Sequence, residues 1–303
     1  MLIDSHIHLW SDGQAPYLFE NAPPPSLQLE AQHHLFVQRA KKANVHAALV
    51  VQPANHMFDH SYLTEAIQTY PTFFKGMLLA NPNLTEKEAV ANIENLKKKG
   101  FVAVRFNPFL FEHGMDSPVG MAMYKRAGEL GMPVGVMAFG GLTPLLPSIK
   151  TLLESSPNTK MILDHYGFFR QPATGGLLGE LATNDEESWT GLLSLAKIPQ
   201  VYVKVSAFFR VSAELPPHRD LQPRLGALLQ AYGASRLMWG SDFPFVLIGG
   251  NTPTLSGLPY NKAAEMLSRW DVPELNDAAR ARLLGGTAAE LFGLGSESCS
   301  ERL

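Results

Sequence analysis

Short apolar runs alternate along the chain with longer stretches in which apolar residues recur every three or four positions. The short runs are rich in β-branched and aromatic residues and read as strands. They are Leu2–Leu9, Val45–Gln52, Phe73–Ala80, Phe101–Asn107, Pro133–Phe139, Lys160–His165, Val201–Ser206 and Arg236–Ser241. The longer stretches read as amphipathic helices, among them Leu29–Ala43, Thr85–Lys99, Val119–Leu130, Leu145–Ser155 and Leu221–Tyr232. Strands alternating with helices pair in parallel, and eight strands close a (β/α)8 TIM barrel. An open doubly wound sheet is the alternative. It would follow its first strand with a Gly-rich phosphate loop, where this chain has Trp10-Ser11-Asp12-Gly13.

The connections are lopsided. Helix-to-strand turns are short, as at Lys99-Gly100-Phe101, whereas strand-to-helix loops such as Trp10–Gln28, Tyr166–Thr183 and Phe243–Pro259 are long. In a barrel the long loops all emerge at the C-terminal face of the sheet, where catalytic residues sit. That asymmetry favours an enzyme or a ligand-binding barrel over a structural protein.

Composition narrows the picture. With 303 residues, 46% of them hydrophobic, the chain can bury one barrel core, and no linker or repeat divides it. Residues 1–295 are expected to form one domain and 296–303 a polar tail. A net charge of -3, with no basic field, argues against nucleic acid as a partner. The run Lys97–Lys99 reads as a solvated helix end. No apolar stretch is long enough to span a membrane, and the start MLIDSHIHLW is no signal peptide. The single Cys299 excludes an internal disulfide and a cysteine-based metal site. A cytoplasmic protein is the expectation, with self-association left open.

The chemistry gathers at strand ends. Asp4, His6 and His8 alternate with Ile3, Ser5 and Ile7. Period two predicts that all three polar residues enter the barrel, with the histidines at its mouth. Two imidazoles so placed can share a cation, or divide water and substrate between them. Asp242, ending the last strand, faces them across the barrel closure and suits a general base or a metal ligand. A helix cap is its bland alternative. At the end of strand six, Asp164 and His165 are expected to point to opposite faces, so that only His165 enters the mouth and Asp164 is buried and hydrogen-bonded in the shell around it. Arg105 on strand four needs a carboxylate from protein or substrate. Lys204 reads as a structural ion pair, while Arg170 and Arg210 in the long loops are candidate anion contacts. Trp10, following the histidines, joins Arg105, Arg170 and Arg210 as a candidate substrate contact. The loop aromatics Phe109, Phe111, Phe168, Phe169, Phe208 and Phe209 read as rim anchors or as a wall for a flat substrate.

Five motifs in this order carry a resemblance: Asp4-Ser5-His6-Ile7-His8-Leu9-Trp10, Val104-Arg105-Phe106-Asn107, Leu163-Asp164-His165-Tyr166-Gly167, Tyr202-Val203-Lys204-Val205-Ser206 and Gly240-Ser241-Asp242-Phe243-Pro244. Together they resemble the amidohydrolase-related family, and within it the branch of pyrone-dicarboxylate lactonases, sugar lactonases and aminocarboxymuconate-semialdehyde decarboxylase-like enzymes. Leu284–Phe292 resembles its closing helix, with Thr287 where Asn is usual. The resemblance implies a barrel with a hydrolytic or decarboxylating site at its mouth. In metal-dependent members the histidine pair and the last aspartate hold zinc or a similar ion; other members of the lactonase branch work without metal. Here strand five has no histidine and strand four no lysine to carbamylate, so a two-metal site is not expected. One divalent ion on His6, His8 and Asp242, or none, are both open.

On this reading His6, His8, His165 and Asp242 are the catalytic residues, and Asp242 takes a proton from water as a small carboxylated lactone opens. Metal-dependent non-oxidative decarboxylation is the alternative chemistry, and a barrel that only binds its ligand is the third reading.

Overall fold

The computed structural model describes residues 1–169, 185–249 and 257–295. Eight parallel strands follow one another in sequence order: β1 Ile3–Ile7, β2 Ala47–Val51, β3 Phe74–Leu79, β4 Phe101–Phe106, β5 Val134–Val136, β6 Met161–Leu163, β7 Val201–Ser206 and β8 Leu237–Gly240. The ring closes at the mouth. The Asp242 N–H donates to the His6 carbonyl at 2.9 Å and the His8 N–H to the Phe243 carbonyl at 2.7 Å. Closure explains one glycine: a Cβ on Gly240 would stand 2.8 Å from the His6 Cβ and 3.0 Å from its backbone nitrogen.

Parallel neighbours require a crossover, and amphipathic helices supply it. They include α1 His33–Lys42, α2 Ser61–Thr69, α3 Glu86–Lys98, α4 Pro118–Glu129, α5 Leu146–Ser155, α6 Glu186–Ser194, a four-residue α7 Phe208–Val211 and α8 Gln222–Tyr232. Helix α3 shows how local chemistry sets a boundary. Thr85 and Glu88 form a reciprocal capping box at its start, and Lys97 and Lys98 lie in its last turn. No helix among the described residues is long and apolar enough to cross a membrane.

The strands divide two apolar layers. Outward residues such as Val50, Leu78, Val104 and Val203 pack against Phe36, Leu63, Ile93 and Ile149 of the helices. Inward residues Ile3, Ala47, Leu49, Val51, Met77, Ala103, Ile162 and Met238 fill the barrel, closed from below by Ala288, Phe292 and Leu294. The C-terminal helix thus seals one end of the barrel, and polar side chains occupy the other.

Two expectations are overturned. Asp4 does not enter the barrel with His6 and His8. Three steps from Asp4 to Ile7 on β1 face two from Ala48 to Val50 on β2, so the strand carries a bulge. Ile3 points inward and Asp4 outward, to a hydrogen bond from the Tyr260 hydroxyl at 2.9 Å. The bulge is held by the Asp4 carboxylate, which accepts from the His6 N–H at 3.1 Å and the Ser241 N–H at 2.9 Å. After it, His6 and His8 alternate inward as expected.

The second correction concerns β6, where alternation allows only one of Asp164 and His165 to face inward. Both do. Beyond Asp164 the backbone turns left-handed at His165, Tyr166, Gly167 and Phe168, with φ of 52°, 56°, 63° and 50°. That reversal swings His165 back into the mouth above Asp164. It also ends β6 at Leu163, two residues before the expected boundary.

Candidate functional site

At the C-terminal mouth of the barrel a cavity of about 450 Å³ opens between the long loops. Its polar floor is His8, Arg105, His165, Arg210 and Asp242, and its walls include Asn55, Phe109, Met137, Phe139, Phe168 and Phe245. His6, Asp164 and Lys204 lie beneath the floor, fully buried.

The three imidazoles converge on one carboxylate. His8 Nε2 stands 3.4 Å from Asp242 Oδ1, His6 Nε2 at 3.8 Å and His165 Nε2 at 4.0 Å. Each ring is oriented from behind. His8 Nδ1 lies 2.9 Å from the Val51 carbonyl, which can only accept, so Nδ1 carries the proton and Nε2 is left as a bare acceptor. His165 Nδ1 lies 2.7 Å from the Ser206 hydroxyl. His6 Nδ1 lies 3.1 Å from Lys204 Nζ and 3.4 Å from Asp164 Oδ1, so its tautomer depends on which of the two it pairs with. Burial lowers the pKa of all three, His165 to about 3, and keeps them neutral at pH 7.

Two carboxylates stay ionised in the same environment. Burial opposes the charge on Asp242, but the Arg210 guanidinium outweighs it and holds the pKa well below the usual carboxylate range. Asp164 is likewise held low against burial, by Lys204, His6 and Arg105. Arg105 Nε donates to Asp164 Oδ2 at 3.2 Å, and Arg210 Nε to Asp242 Oδ2 at 2.6 Å. Arg105, Lys204 and Arg210 against Asp164 and Asp242 leave one positive charge in excess among the described residues. An anionic ligand would balance it.

His6, His8 and Asp242 also fit a metal ion. The ligand atoms of a tetrahedral zinc site, with bonds of about 2.0–2.1 Å, lie roughly 3.3–3.4 Å apart. Here the His6 and His8 Nε2 atoms are 3.3 Å apart, with Asp242 Oδ1 at 3.4 and 3.8 Å. Asp164 behind His6 and the Val51 carbonyl behind His8 take the supporting positions such ligands need. Arg210 occupies only Oδ2, which leaves Oδ1 free to coordinate. No other cluster of this kind occurs among the described residues. The segment just after β5 contributes Met137 and Phe139 to the cavity wall rather than a donor.

The fold therefore brings His6, His8, His165, Asp242, Arg105 and Arg210 to one place. Asp242 is no side-chain helix cap: its carboxylate is taken up by Arg210 and the histidines. Lys204 forms an ion pair, as expected, but directly beneath the site. Arg105 finds its carboxylate in Asp164 and still reaches the cavity. Trp10 is fully buried behind Phe245, with its indole N–H on the Gln28 carbonyl, and is not on the cavity wall. Arg170 and the 296–303 tail lie outside the described residues. Among the loop aromatics, Phe109 and Phe168 line the cavity. Phe111, Phe169 and Phe208 are buried against Phe106, Trp189 and Trp270. Sequence reading passed over Ser206, Asn55 and Phe245. Ser206 alone carried a signal, since it shares the inward face of β7 with Lys204.

A sequence profile described as amidohydrolase matches residues 3–294. An L-fucono-1,5-lactonase of Burkholderia multivorans is 31% identical over 49% of this chain and 48% of its own length, so that match spans about half of that relative. The corresponding enzyme of Burkholderia ambifaria is 26% identical over 96% of this chain and 94% of its own. A 4-sulfomuconolactone hydrolase of Hydrogenophaga intermedia is 25% identical over 80% and 74%. Among solved structures, a putative 2-pyrone-4,6-dicarboxylic acid hydrolase from Pseudomonas putida superimposes with a TM-score of 0.74 at 25% identity, covering 98% of both chains.

Proposed function

The chain belongs to the amidohydrolase family, and we propose that it hydrolyses a small carboxylated lactone, with Asp242 as general base. The observation that carries this reading is the ionised Asp242 at the cavity floor, with three neutral imidazoles within 4.0 Å of one of its oxygens. A carboxylate beside neutral histidines can accept a proton from water. The excess positive charge suits a substrate that arrives as an anion and leaves with one more carboxylate. The similarity to three lactonases and a pyrone-dicarboxylate hydrolase supports the same substrate class.

The steps follow from the placement of donors and acceptors. Water above Asp242 attacks the ring carbonyl carbon as its proton passes to the carboxylate. His165, with Ser206 donating to its Nδ1, directs an Nε2–H toward the developing oxyanion, and Arg105 adds charge beside it. The ring C–O bond breaks, and Asp242 returns its proton to the leaving oxygen. Arg105 and Arg210 hold the substrate carboxylate. His6, His8 and Asp242 would hold one divalent ion; when bound, it supplies Lewis-acid polarisation of the carbonyl and a more acidic water. The aromatic walls favour a flat ring over a heavily hydroxylated one, since few polar groups line them.

Ring-opening rates on lactones with and without carboxylate groups test this, comparing the wild type with Asp242→Asn. The variant should lose roughly 10²–10⁴-fold in turnover while remaining folded by circular dichroism. Near-normal turnover would remove Asp242 from the role of base. Release of CO₂ from a carboxylated substrate, with no lactone opened, would replace hydrolysis by decarboxylation.

A further inference from the structure

Above its charged floor the cavity is walled by apolar side chains except at half-buried Asn55. Asn55 lies just beyond β2, and β2 stands opposite β6 in the ring of eight strands. It therefore borders the mouth across from His165 and Phe168, which follow β6, with Arg105 on β4 to one side of that line and Arg210 beyond β7 to the other. Its amide is oriented. Nδ2 donates at 2.9 Å to the Asn21 carbonyl, which can only accept, so the amide oxygen and nitrogen cannot exchange places. The second Nδ2 hydrogen and Oδ1 meet no partner among the described residues. The backbone behind it is braced. The Asn55 carbonyl accepts from the N–H groups of Glu20 and Asn21 at 2.9 and 3.2 Å, and the Asn21 side chain donates to the Ala54 carbonyl at 2.9 Å. Buried His56 grips the same loop with both ring nitrogens: Nε2 accepts from the Ser11 N–H at 3.3 Å, and Nδ1 donates to the Leu18 carbonyl at 3.1 Å. The loop between β1 and α1 thus holds Asn55 in place before any substrate arrives.

An uncharged donor and acceptor on an apolar wall select their own kind of partner. A carboxylate there would lose water with no cation beside it to balance the charge; the arginines offer that balance elsewhere in the cavity. A keto or ether oxygen can accept from Nδ2 but has no hydrogen for Oδ1. A hydroxyl can accept from the one and donate to the other. We infer that Asn55 is a specificity-determining residue, and that it reads a hydroxyl on the substrate ring while Arg105 and Arg210 hold the carboxylate. One amide on an otherwise apolar wall selects a single hydroxyl, not a polyhydroxylated ring. The inference rests on the lactonase reading above and narrows its substrate from a carboxylated lactone to one that also carries a ring hydroxyl.

The test uses butyrolactones that all carry a γ-carboxylate. One is otherwise unsubstituted, one bears a ring hydroxyl, and one bears a methoxy group in its place, the substituent being set at the α or the β carbon in both configurations. Each kcat/KM is divided by the rate of uncatalysed alkaline opening, which removes differences in intrinsic reactivity. The wild type should favour one hydroxylated isomer over the unsubstituted lactone by about tenfold, the worth of one added hydrogen bond, and should not favour its methoxy counterpart. In Asn55→Leu, similar in size but without hydrogen-bonding groups, that preference should shrink to within about twofold of unity. A residue that only props the wall would slow all the lactones alike and leave the ratio in place. The inference is overturned by a wild type that favours no hydroxylated isomer, by a methoxy lactone opened as readily as the hydroxylated one, or by a preference that survives in a folded Asn55→Leu. The wild-type series needs no variant, so a misfolded mutant leaves the question decidable. A wild type that opens none of these lactones refutes the lactonase reading, and the inference falls with it.

Discussion

Asp164 is the buried hub beneath the site, and replacing it by Asn tests whether its charge holds the barrel mouth together. Its Oδ2 takes Arg105 at 3.2 Å, and its Oδ1 faces Lys204 at 3.5 Å and His6 at 3.4 Å, all with almost no exposure. Asn keeps the shape and removes the charge, leaving two buried cations side by side. Removing one partner of a buried ion pair costs ~3–5 kcal/mol. Burial already lowers the Lys204 pKa, so that side chain can shed its proton, and the lower end, about 3 kcal/mol, applies. At roughly 2–4 °C per kcal/mol for a domain approaching this size, the melting temperature should fall by about 6–12 °C. The double variant Asp164→Asn, Lys204→Met removes the stranded ammonium beside Met77 and should recover at least half of that loss. The sign with pH is definite. A carboxylate held well below its unfolded value near 3.9 stabilises the fold at every pH above that value and stops doing so only as pH falls through its own low pKa. The gap between wild type and Asp164→Asn, measured by calorimetry, should therefore persist undiminished from pH 8 to about pH 5. A variant melting within about 1 °C of the wild type, or a double variant no better than the single, would refute the reasoning.

Asp4 should show the opposite sign. Burial pushes it up to about 6 against its hydrogen bonds with Ser241, His6 and Tyr260, so its contribution is most favourable below the unfolded pKa and is lost as pH rises through 6. Asp4→Asn imitates the protonated acid, and its stability relative to wild type should grow by ~2 kcal/mol between pH 4 and pH 7 in urea titrations; a gap that ignores pH would contradict this. Gly240→Ala forces a methyl against His6 at the β1–β8 closure. It should cost about 1–3 kcal/mol and displace His6, which thermal melts and turnover will show together; an unchanged melt would mean that the strands separate freely. After chelation and reloading, the wild type should take up one zinc per chain by mass spectrometry, and His8→Ala should not; equal contents would place any ion elsewhere.

Much of this was legible in the chain itself. The eight strands and the face that carries the loops follow from the period of the apolar residues, because burial of a strand or a helix side leaves that period in the local sequence. His6, His8 and Asp242 were recognisable because polar side chains at strand ends have one direction to go in a closed barrel. What the local pattern could not hold was any departure from its own regularity. The bulge that turns Asp4 outward leaves no residue signature, and in the left-handed turn after Asp164 only Gly167 is a residue that favours that conformation. Nor could it say which charges meet. Arg210 finds Asp242 across 32 positions, Arg105 finds Asp164 across 59, and Lys204 finds His6 across 198. Those pairings decide whether each arginine serves the substrate, the base or the scaffold. They depend on distances of a few ångströms around a closed ring, which exist only once all eight strands are in register.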